Sequence, residues 1–508
     1  MSNPTLRLTA RWTLSVLILL TTRVALADEN SRPPNVVLIM TDNHGAWTLG
    51  CYGNQDIRTP HIDRLASEGM LFTRAFSSNA VCSPTRATYL TGLLPSQHGV
   101  HCFLRRNEAQ MGDDPYCTIE EFRSLPEVLS QCGYRTGLVG KWHLGGNMTP
   151  QEKFEYWITM PHGATAAFYD AEVIEDNELR IEPQYLTDLW TEHALAFIDE
   201  RDDRPFFLFL SYNGPYGLGQ TLDRMARNRH YARYVDMLLP SFPRGQMHPW
   251  LFHNKQYLNN VDSIRRYAAE LSGVDDGVGS VMQKLGACGL DDDTLVIFCA
   301  DQGWLGGQNG LWGMGDHTRP LTAFDGMMHV PLIIRHTGRV PVGQQSDLMV
   351  SNYDLMPTLL AYLDLATPER LNSNSPGRDF SPVLHGESIE WENRVFYEME
   401  NVRAIRTENA KYVHRFPEGP FELYDLAADP HEKVNLYGQP SQAELQQALT
   451  TELTEFFDQY ADPQYDLYRG GTSKARLLSN PDIGPTRPKA DTALSPEPTS
   501  EAVTTSSN

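Results

Sequence analysis

Residues 82 to 99 read CSPTRATYLTGLLPSQHG, and the interpretation of the whole chain starts from this stretch. It joins a Cys-x-Pro-x-Arg pentapeptide to a Thr-Gly-x-x-Pro-x-x-His-Gly continuation at fixed spacing. Pro84 suits the first turn of a helix, and no helix breaker follows it before Leu90. A helix that begins near Cys82 would direct backbone N–H groups and its positive dipole end at an anion beside that residue. The stretch therefore predicts an anion site at a helix start, with Arg86 one turn away and able to reach back to it.

Four apolar runs elsewhere in the chain each end in a polar cluster. They are 35–40 before Thr41-Asp42-Asn43, 136–139 before Gly140-Lys141-Trp142-His143, 205–210 before Ser211-Tyr212-Asn213, and 294–300 before Asp301-Gln302-Gly303. Fully apolar runs are typical of strands buried on both faces of a sheet that helices cover. Each cluster alone would be an ordinary polar turn, but ligands of such sheets collect at the carboxyl ends of the strands. We therefore predict an α/β fold, with a large, mixed but mostly parallel sheet between helices and one site at its edge.

Near residue 390 the pattern changes to short strand-like pieces, which lie at 394–397, 402–407, 412–416 and 421–426. A helix follows, which we expect to open with a capping box of Ser441 and Glu444. Leu445, Leu449 and Leu453 would form its buried stripe. The pattern predicts a smaller C-terminal antiparallel sheet with a packed helix.

The N-terminus has the features of a secretory signal peptide, which we place at 1–27. Arg7 and Arg11 precede an apolar run at 12–20, and Ala-Leu-Ala stands before Asp28 as a cleavage site. The run is too short to span a bilayer. We therefore expect an exported protein, periplasmic or secreted, that has no membrane partner.

The length of 508 residues allows one large core and a second, smaller one. We predict a catalytic domain at 28–390 and a C-terminal subdomain at 391–465. The segment 466–508 is expected to be a disordered tail, because it is rich in Ser, Thr, Pro and Ala and poor in large apolar residues.

The formal net charge is −22, which argues against a nucleic-acid partner or an anionic membrane, because both favour basic surfaces. An anionic substrate remains compatible with this charge if its pocket is locally basic. Screening over about 10 Å at moderate salt separates such a pocket from distant surface charge.

The stretch 82–99 resembles the signature of the formylglycine-dependent sulfatases, a family of the alkaline-phosphatase-like superfamily. The resemblance runs from about residue 33 to 460. It implies that a formylglycine-generating or anaerobic maturation enzyme oxidises Cys82 to formylglycine (3-oxoalanine), whose hydrated aldehyde is the nucleophile. It also implies a sulfuric ester hydrolase that acts on a sulfated small molecule or carbohydrate. Cys82 would then be a precursor and not a thiol catalyst.

Asp42, Asn43, Asp301 and Gln302 offer only hard oxygen ligands once the amide oxygens are counted, which suits Ca²⁺ or Mg²⁺. The resemblance implies that these four residues and the modified Cys82 hold Ca²⁺. The chain departs from the family in having Asn43 where a second Asp is usual and Gln302 where Asn is usual. One negative charge fewer should weaken the hold on the ion, and Mg²⁺ stays open.

Residues 140–145 read GKWHLG and match the second signature of the family. Lys141 and His143 alternate along what we expect to be an extended segment, so both side chains can face a sulfate. The resemblance implies that Lys141 binds sulfate oxygens and that His143 hydrogen-bonds the hydroxyl that later expels sulfate.

Two positions depart from the family pattern. Tyr216 follows Pro215 where many relatives have a histidine that protonates the leaving group, and it becomes a substrate-binding candidate. Met314 stands where a second lysine is expected. His317 and Arg319 could supply the proton and the charge instead, or both could be ordinary loop residues.

Three further questions stay open on the sequence. A phosphate or phosphonate monoester hydrolase of the same superfamily is the alternative enzyme, and a non-catalytic sulfoglycan-binding relative is the alternative outside catalysis. Converting Cys82 would leave an even number of the seven cysteines, whose pairing cannot be assigned. The aromatic residues near the clusters could stack on sugar rings or pack in the core, and they are Trp142, Tyr212, Tyr216, Trp304 and Trp312.

Overall fold

A mixed sheet of 11 strands forms the centre of the computed structural model, which describes residues 32–224 and 227–487. The strands are β1 (Asn35–Asp42), β2 (Met70–Phe76), β3 (Arg135–Gly140), β4 (Tyr156–Thr159), β5 (Ala171–Glu175), β6 (Glu178–Glu182), β7 (Phe206–Pro215), β8 (Thr294–Ala300), β9 (Leu305–Gly306), β10 (Trp312–Gly313), β11 (His329–Val330), β12 (Leu332–Arg335), β13 (Gln344–Ser351), β14 (Arg394–Met399), β15 (Val402–Thr407), β16 (Ala410–Arg415) and β17 (Glu422–Asp425). The helices are α1 (Pro60–Ser67), α2 (Cys82–Thr91), α3 (Pro95–His98), α4 (Leu125–Gln131), α5 (Leu186–Asp199), α6 (Gln220–Arg224), α7 (Tyr231–Tyr234), α8 (Val261–Ala287), α9 (Asp325–Met328), α10 (Leu355–Tyr362), α11 (Ser381–Leu384) and α12 (Ala443–Tyr460).

The large sheet has the order β11-β2-β12-β8-β1-β7-β3-β4-β5-β6, and β13 pairs with β2. The neighbours β8, β1, β7, β3 and β4 are parallel, whereas β12 and β5 join this group antiparallel. The predicted mixed, mostly parallel sheet is confirmed.

Helices cover both faces of the centre of the sheet. In β1, Val37 and Ile39 belong to one core with residues of α5 and α8, while Val36 and Leu38 belong to a second core with residues of α2, α4 and α10. Successive strand residues point to opposite faces, so a run apolar at every position can serve two cores at once. This explains why the apolar runs identified the central strands.

The polar clusters meet at one edge of the sheet, as predicted. β1 ends at Asp42, β8 ends one residue before Asp301, and β3 ends one residue before Lys141. Ser211 of β7 lies in register with the ends of β1 and β3. The helix α2 begins at Cys82, as the first stretch of sequence predicts.

The strands β14–β17 form the predicted four-stranded antiparallel sheet. The helix α12 packs on it through Leu449, Leu453 and Phe457. Two local predictions are wrong: Ser441 lies in a 3₁₀ turn before the helix and forms no capping box, and Leu445 is 36% exposed. The buried part of the i, i+4 row therefore lies one turn further along the helix than predicted, at Leu449, Leu453 and Phe457.

The predicted disordered tail is wrong as far as residue 487. Ser473 and Lys474 are fully buried, and the Lys474 backbone N–H donates to Gly99 O at 2.8 Å. The Lys474 ammonium donates to Thr118 O at 2.7 Å and pairs with Glu121. Polar contacts hold this segment in place. A prediction of disorder from a low content of large apolar residues does not take such contacts into account. Residues 488–508 and the predicted signal peptide at 1–27 lie outside the described residues.

From Pro34 on, the described residues form one compact unit, and the small sheet begins four residues after the boundary we expect at 390. The division into a catalytic domain and a C-terminal subdomain stays a prediction. Across 32–224 and 227–487, no helix has both the length and the apolar character needed to cross a bilayer.

Candidate active site

Cys82 occupies the first position of α2, directly after the extended residue Val81. It is 3% exposed, and its Sγ lies 3.5 Å from Asp42 Oδ1 and accepts from Gln302 Nε2 at 3.3 Å. Burial and the neighbouring Asp42 raise the pKa of the Cys82 thiol well above its usual range. A thiol that resists ionisation is a poor nucleophile, so the site does not suit cysteine chemistry.

A buried cluster of carboxylate and amide groups surrounds Cys82. Ligand atoms of Asp42, Cys82 and Asp301 all lie within 4.8 Å of one another. Asp301 Oδ1 accepts from the backbone N–H groups of Asn43 (3.2 Å) and Gln302 (2.8 Å), and Gln302 Nε2 lies 2.5 Å from Asn43 Oδ1. The Asn43 Nδ2 has no partner in the part of the chain that the structure describes.

The electrostatics of this cluster fit a hard divalent cation. Burial, and then repulsion from Asp301, raise the pKa of Asp42 to about 6. Two buried carboxylates in contact are costly without a compensating positive charge. Carboxylate and amide oxygens are the ligands that Ca²⁺ and Mg²⁺ prefer, and the chain places no imidazole among them. The donor set therefore suits the ion that the sequence predicts.

Arg86 pairs with the carboxylates of Asp301 and Asp42 beside Cys82, and its action on the nucleophile stays a prediction. It is fully buried, and its Nε and Nη2 donate to Asp301 Oδ2 at 3.0 and 2.8 Å. Its Nη1 donates to Lys141 O (2.8 Å) and Ser211 Oγ (2.7 Å). The guanidinium thus holds the ends of three strands in position around the acidic cluster.

Lys141 and His143 both reach the site, but through a turn and not along an extended segment. His143 has φ +61°, a left-handed conformation, so the expected extended geometry is wrong. The Lys141 ammonium donates to Asp42 Oδ2 and lies 5.5 Å from the centre of the Tyr216 ring. Close approach of the Gly163 backbone to the His143 ring leaves no room for a side chain at residue 163.

His143 is neutral at ordinary pH, because burial and then Lys141 hold its pKa well below the usual range. Its Nε2 lies 3.1 Å from Leu104 O, and its Nδ1 has no partner among the described residues. A carbonyl oxygen accepts but cannot donate, so Nε2 carries the proton and Nδ1 carries the lone pair. The ring can accept a proton at Nδ1.

A cavity of about 510 Å³ opens beside Cys82. His143, Tyr216, Met314 and His317 line it. The His317 Nδ1 accepts from the Met314 backbone N–H at 3.4 Å and lies 2.8 Å from Asp316 Oδ1, with which it forms no hydrogen bond. Three of the predicted substrate-binding side chains therefore share one cavity with Cys82.

Two sequence expectations about side chains are corrected here. Arg319 turns away: its Nη1 donates to the carbonyl oxygens of Asp316 (2.8 Å) and Thr318 (2.7 Å), and its guanidinium lies over the Phe252 ring and outside the cavity lining. Met314 places Sδ 3.3 Å from Gln302 Nε2, so the position where a lysine is expected lies at the site but carries no charge.

Most of the aromatic candidates pack in the core. Trp142, Tyr212, Trp304 and Trp312 are almost completely buried, and of the five aromatic candidates Tyr216 alone lines the cavity. The seven cysteines all lie in the described segments and are all free.

Sequence reasoning missed six polar residues of the cavity, which are Arg105, Arg106, His162, Thr165, Asn254 and Asp316. They come from loops without a motif. The usable signal was the pair of adjacent arginines in a strongly acidic chain.

Comparison with known proteins identifies the family. The Sulfatase family model matches residues 34–365, and a model described as N-sulphoglucosamine sulphohydrolase, C-terminal, matches 317–459. The chain belongs to the sulfatase family and is a sulfuric ester hydrolase with an alkaline-phosphatase-like fold. Enzymes of this family generally use formylglycine and a divalent metal ion.

Three relatives illustrate the similarity. The N-acetylglucosamine-6-O-sulfatase of Bacteroides thetaiotaomicron is 25% identical, over 89% of this chain and 91% of its own. A solved structure of a protein in complex with its substrate, D-glucosamine-2-N,6-O-disulfate, has a TM-score of 0.70 and 24% identity, covering 84% of this chain and 98% of its own. The phosphonate monoester hydrolase of Agrobacterium radiobacter has a TM-score of 0.61 and 24% identity, over 85% of this chain and 96% of its own. It shares the fold.

Proposed function

We propose that this protein hydrolyses sulfate monoesters on a sulfated carbohydrate, with formylglycine made from Cys82 and a bound Ca²⁺. The observation that carries the proposal is the position of Cys82 at the start of α2, beside Asp42 and Asp301 and open to a cavity large enough for a sugar. The substrate class is supported by two of these relatives, the N-acetylglucosamine-6-O-sulfatase and the protein solved with D-glucosamine-2-N,6-O-disulfate as its substrate.

Two groups supply chemistry that the chain itself lacks. Formylglycine supplies a hydrated aldehyde, with one hydroxyl to attack sulfur and a second to drive sulfate release, which a thiol cannot provide. Asp42, Asn43, Asp301, Gln302 and residue 82 would hold the divalent ion, which would supply positive charge for the sulfate oxygens.

The remaining roles belong to side chains beside residue 82 and along the cavity. Lys141 binds a sulfate oxygen, and Arg86 keeps the carboxylates in place. His143 accepts the proton of the residue-82 hydroxyl at its free Nδ1. His317, whose Nδ1 accepts from the Met314 backbone N–H and whose Nε2 can therefore carry the proton, protonates the leaving oxygen in place of the histidine that Tyr216 replaces.

Export and maturation complete the proposal. The sequence of residues 1–27 supports delivery to the periplasm or the medium, and the pentapeptide at Cys82 supports recognition by a formylglycine-generating or anaerobic maturation enzyme.

The function is tested by measuring sulfate release from a panel of sulfated mono- and oligosaccharides by protein produced with a maturation enzyme. We expect turnover of at least one sulfated sugar and much slower turnover of 4-nitrophenyl phosphate than of 4-nitrophenyl sulfate. Faster turnover of the phosphate would contradict the proposal and favour the phosphate or phosphonate hydrolase. Sulfated-sugar binding without turnover by matured protein would favour the sulfoglycan-binding relative.

His317→Ala should lower kcat/KM for a sulfated sugar by roughly 10²–10⁴, because an alcohol leaves poorly without a proton. The same change should lower kcat/KM for 4-nitrophenyl sulfate much less, because nitrophenolate needs no proton to leave. The matched control is His253→Ala, whose ring centre lies 6.1 Å from that of His317 and outside the cavity lining. An equal loss of kcat/KM for the sulfated sugar and for 4-nitrophenyl sulfate would show that His317 does not protonate the leaving oxygen.

Asn43→Asp should increase the rise in melting temperature that Ca²⁺ produces, because a third carboxylate strengthens the site for a hard cation. Without the ion the variant should melt below wild type, since like charges are then buried together. Thermal unfolding in chelator and across Ca²⁺ concentrations measures both effects. Asn177→Asp, at an exposed turn, is the control. A variant whose response to Ca²⁺ equals that of wild type would contradict the assigned ligand set.

A further inference from the structure

We propose that Arg105 binds a second anionic group of the substrate, a sulfate or a carboxylate, while the sulfate to be cleaved lies beside Cys82. The proposal rests on the proposed function and adds a specificity-determining residue to it. Both residues line the same cavity of about 510 Å³.

The two adjacent arginines of this cavity differ in how their charge is compensated. Arg106 forms a two-point ion pair with Glu172, in which Nη2 lies 2.9 Å from Oε1 and Nη1 pairs with Oε2. Arg105 forms no ion pair within the part of the chain that the structure describes. Its nearest aromatic neighbour is Phe103, whose ring centre lies 5.9 Å from the guanidinium carbon. Arg105 therefore presents an uncompensated positive charge to the cavity.

The surroundings make this charge suitable for an anion and not merely for solvent. Arg105 is half-buried, and the cavity wall beside it includes Phe103 and Leu104, so water screens it less than it screens a surface arginine. A guanidinium can form two parallel hydrogen bonds with a sulfate or a carboxylate. His162 also lines the wall, and burial followed by Arg106 lowers its pKa, so it adds hydrogen bonding without charge.

Arg105 also differs from the basic residues of the reacting centre. Lys141 and Arg86 pair with Asp42 and Asp301 beside Cys82, and neither of them lines the cavity. Arg105 lines the cavity and makes none of these contacts, so its guanidinium is available to a second group of the sugar. The preferred substrate would carry two anions, one cleaved and one held.

The experiment compares kcat and KM for substrates with one and with two anionic groups, in wild type and Arg105→Ala. N-Acetylglucosamine 6-sulfate provides one anion, glucosamine 2-N,6-O-disulfate adds a second sulfate, and a 6-sulfated disaccharide with a uronic acid adds a carboxylate. We expect the ratio of kcat/KM, doubly over singly anionic, to fall about 10- to 100-fold in Arg105→Ala, mainly through KM, as for the loss of a hydrogen bond to a charged group. The ratio is determined separately for the disulfated sugar and for the disaccharide with a uronic acid. The substrate whose ratio falls more in Arg105→Ala identifies the second anion as a sulfate or a carboxylate.

Three companion variants sharpen the result. Arg106→Ala should reduce the ratio less than Arg105→Ala, because Glu172 already compensates Arg106. Glu172→Gln should raise the ratio, because it leaves the Arg106 charge free. Arg339→Ala, at an exposed position, is the control for the loss of a positive charge.

An equal rise in KM for singly and doubly anionic substrates in Arg105→Ala would overturn the proposal. Arg105 would then attract any anionic substrate through its charge, without binding a second anionic group. If wild type releases sulfate neither from these sugars nor from any other sulfated sugar of the panel, the proposed function fails instead. Calorimetric binding of the disulfated sugar to wild type and to Arg105→Ala then still decides the role of Arg105, since equal affinities contradict it.

Discussion

Replacing Cys82 by alanine is expected to abolish sulfate ester hydrolysis while leaving the fold intact. Loss of a covalent nucleophile typically costs on the order of 10⁵-fold or more in kcat. The buried thiol is small and has two polar contacts among the described residues, with Asp42 and Gln302, so the cost in stability should be about 1 kcal/mol or less. Sulfate release and thermal unfolding measure the two effects.

The control for this variant is Cys132→Ala, which removes a free, partly buried cysteine at the end of α4. It should retain the activity of wild type within a few-fold. If Cys82→Ala kept substantial turnover after maturation, the assigned nucleophile would be wrong.

Replacing Arg86 by methionine should cause the largest loss of stability of any single change at the site. The guanidinium is fully buried, and its removal leaves Asp301 without the two hydrogen bonds that Arg86 donates to Oδ2 and Asp42 without a positive neighbour 3.7 Å away. Breaking a buried ion pair by removing one partner costs roughly 3–5 kcal/mol. The loss should be largest in chelator and smaller with Ca²⁺, which compensates the same carboxylates. Denaturant unfolding under both conditions measures this difference.

Arg335→Met provides the matched control, since Arg335 is also buried and pairs with Asp291 at 2.8 Å, away from the cavity. It should destabilise the protein without a change in kcat/KM. Arg86→Met should lose both stability and turnover. Wild-type turnover in Arg86→Met would contradict the role of Arg86 in holding the acidic cluster.

The sequence predicted the part of the site that depends on strand ends. Asp42, Lys141 and Asp301 each follow a buried parallel strand, and parallel strands bring their carboxyl ends to one edge whatever the loops do. Cys82 was predicted at a helix start because Pro84 and the following residues favour one. These positions follow from local pattern and sheet topology together.

The sequence did not predict the features that depend on loop conformation. The left-handed backbone at His143 and the turned-away Arg319 arise from tertiary contacts that carry no periodic signal. Arg105 enters the cavity from a loop for the same reason. The segment 466–487 was missed because buried polar contacts, such as those of Lys474, hold it where apolar content is low.

The most direct test of the account is mass spectrometry of the peptide that contains residue 82, from preparations of known specific activity. The account predicts a peptide in which the thiol has been replaced by an aldehyde, and a specific activity that rises in proportion to its fraction. Fully active protein with an intact thiol at residue 82 would contradict it.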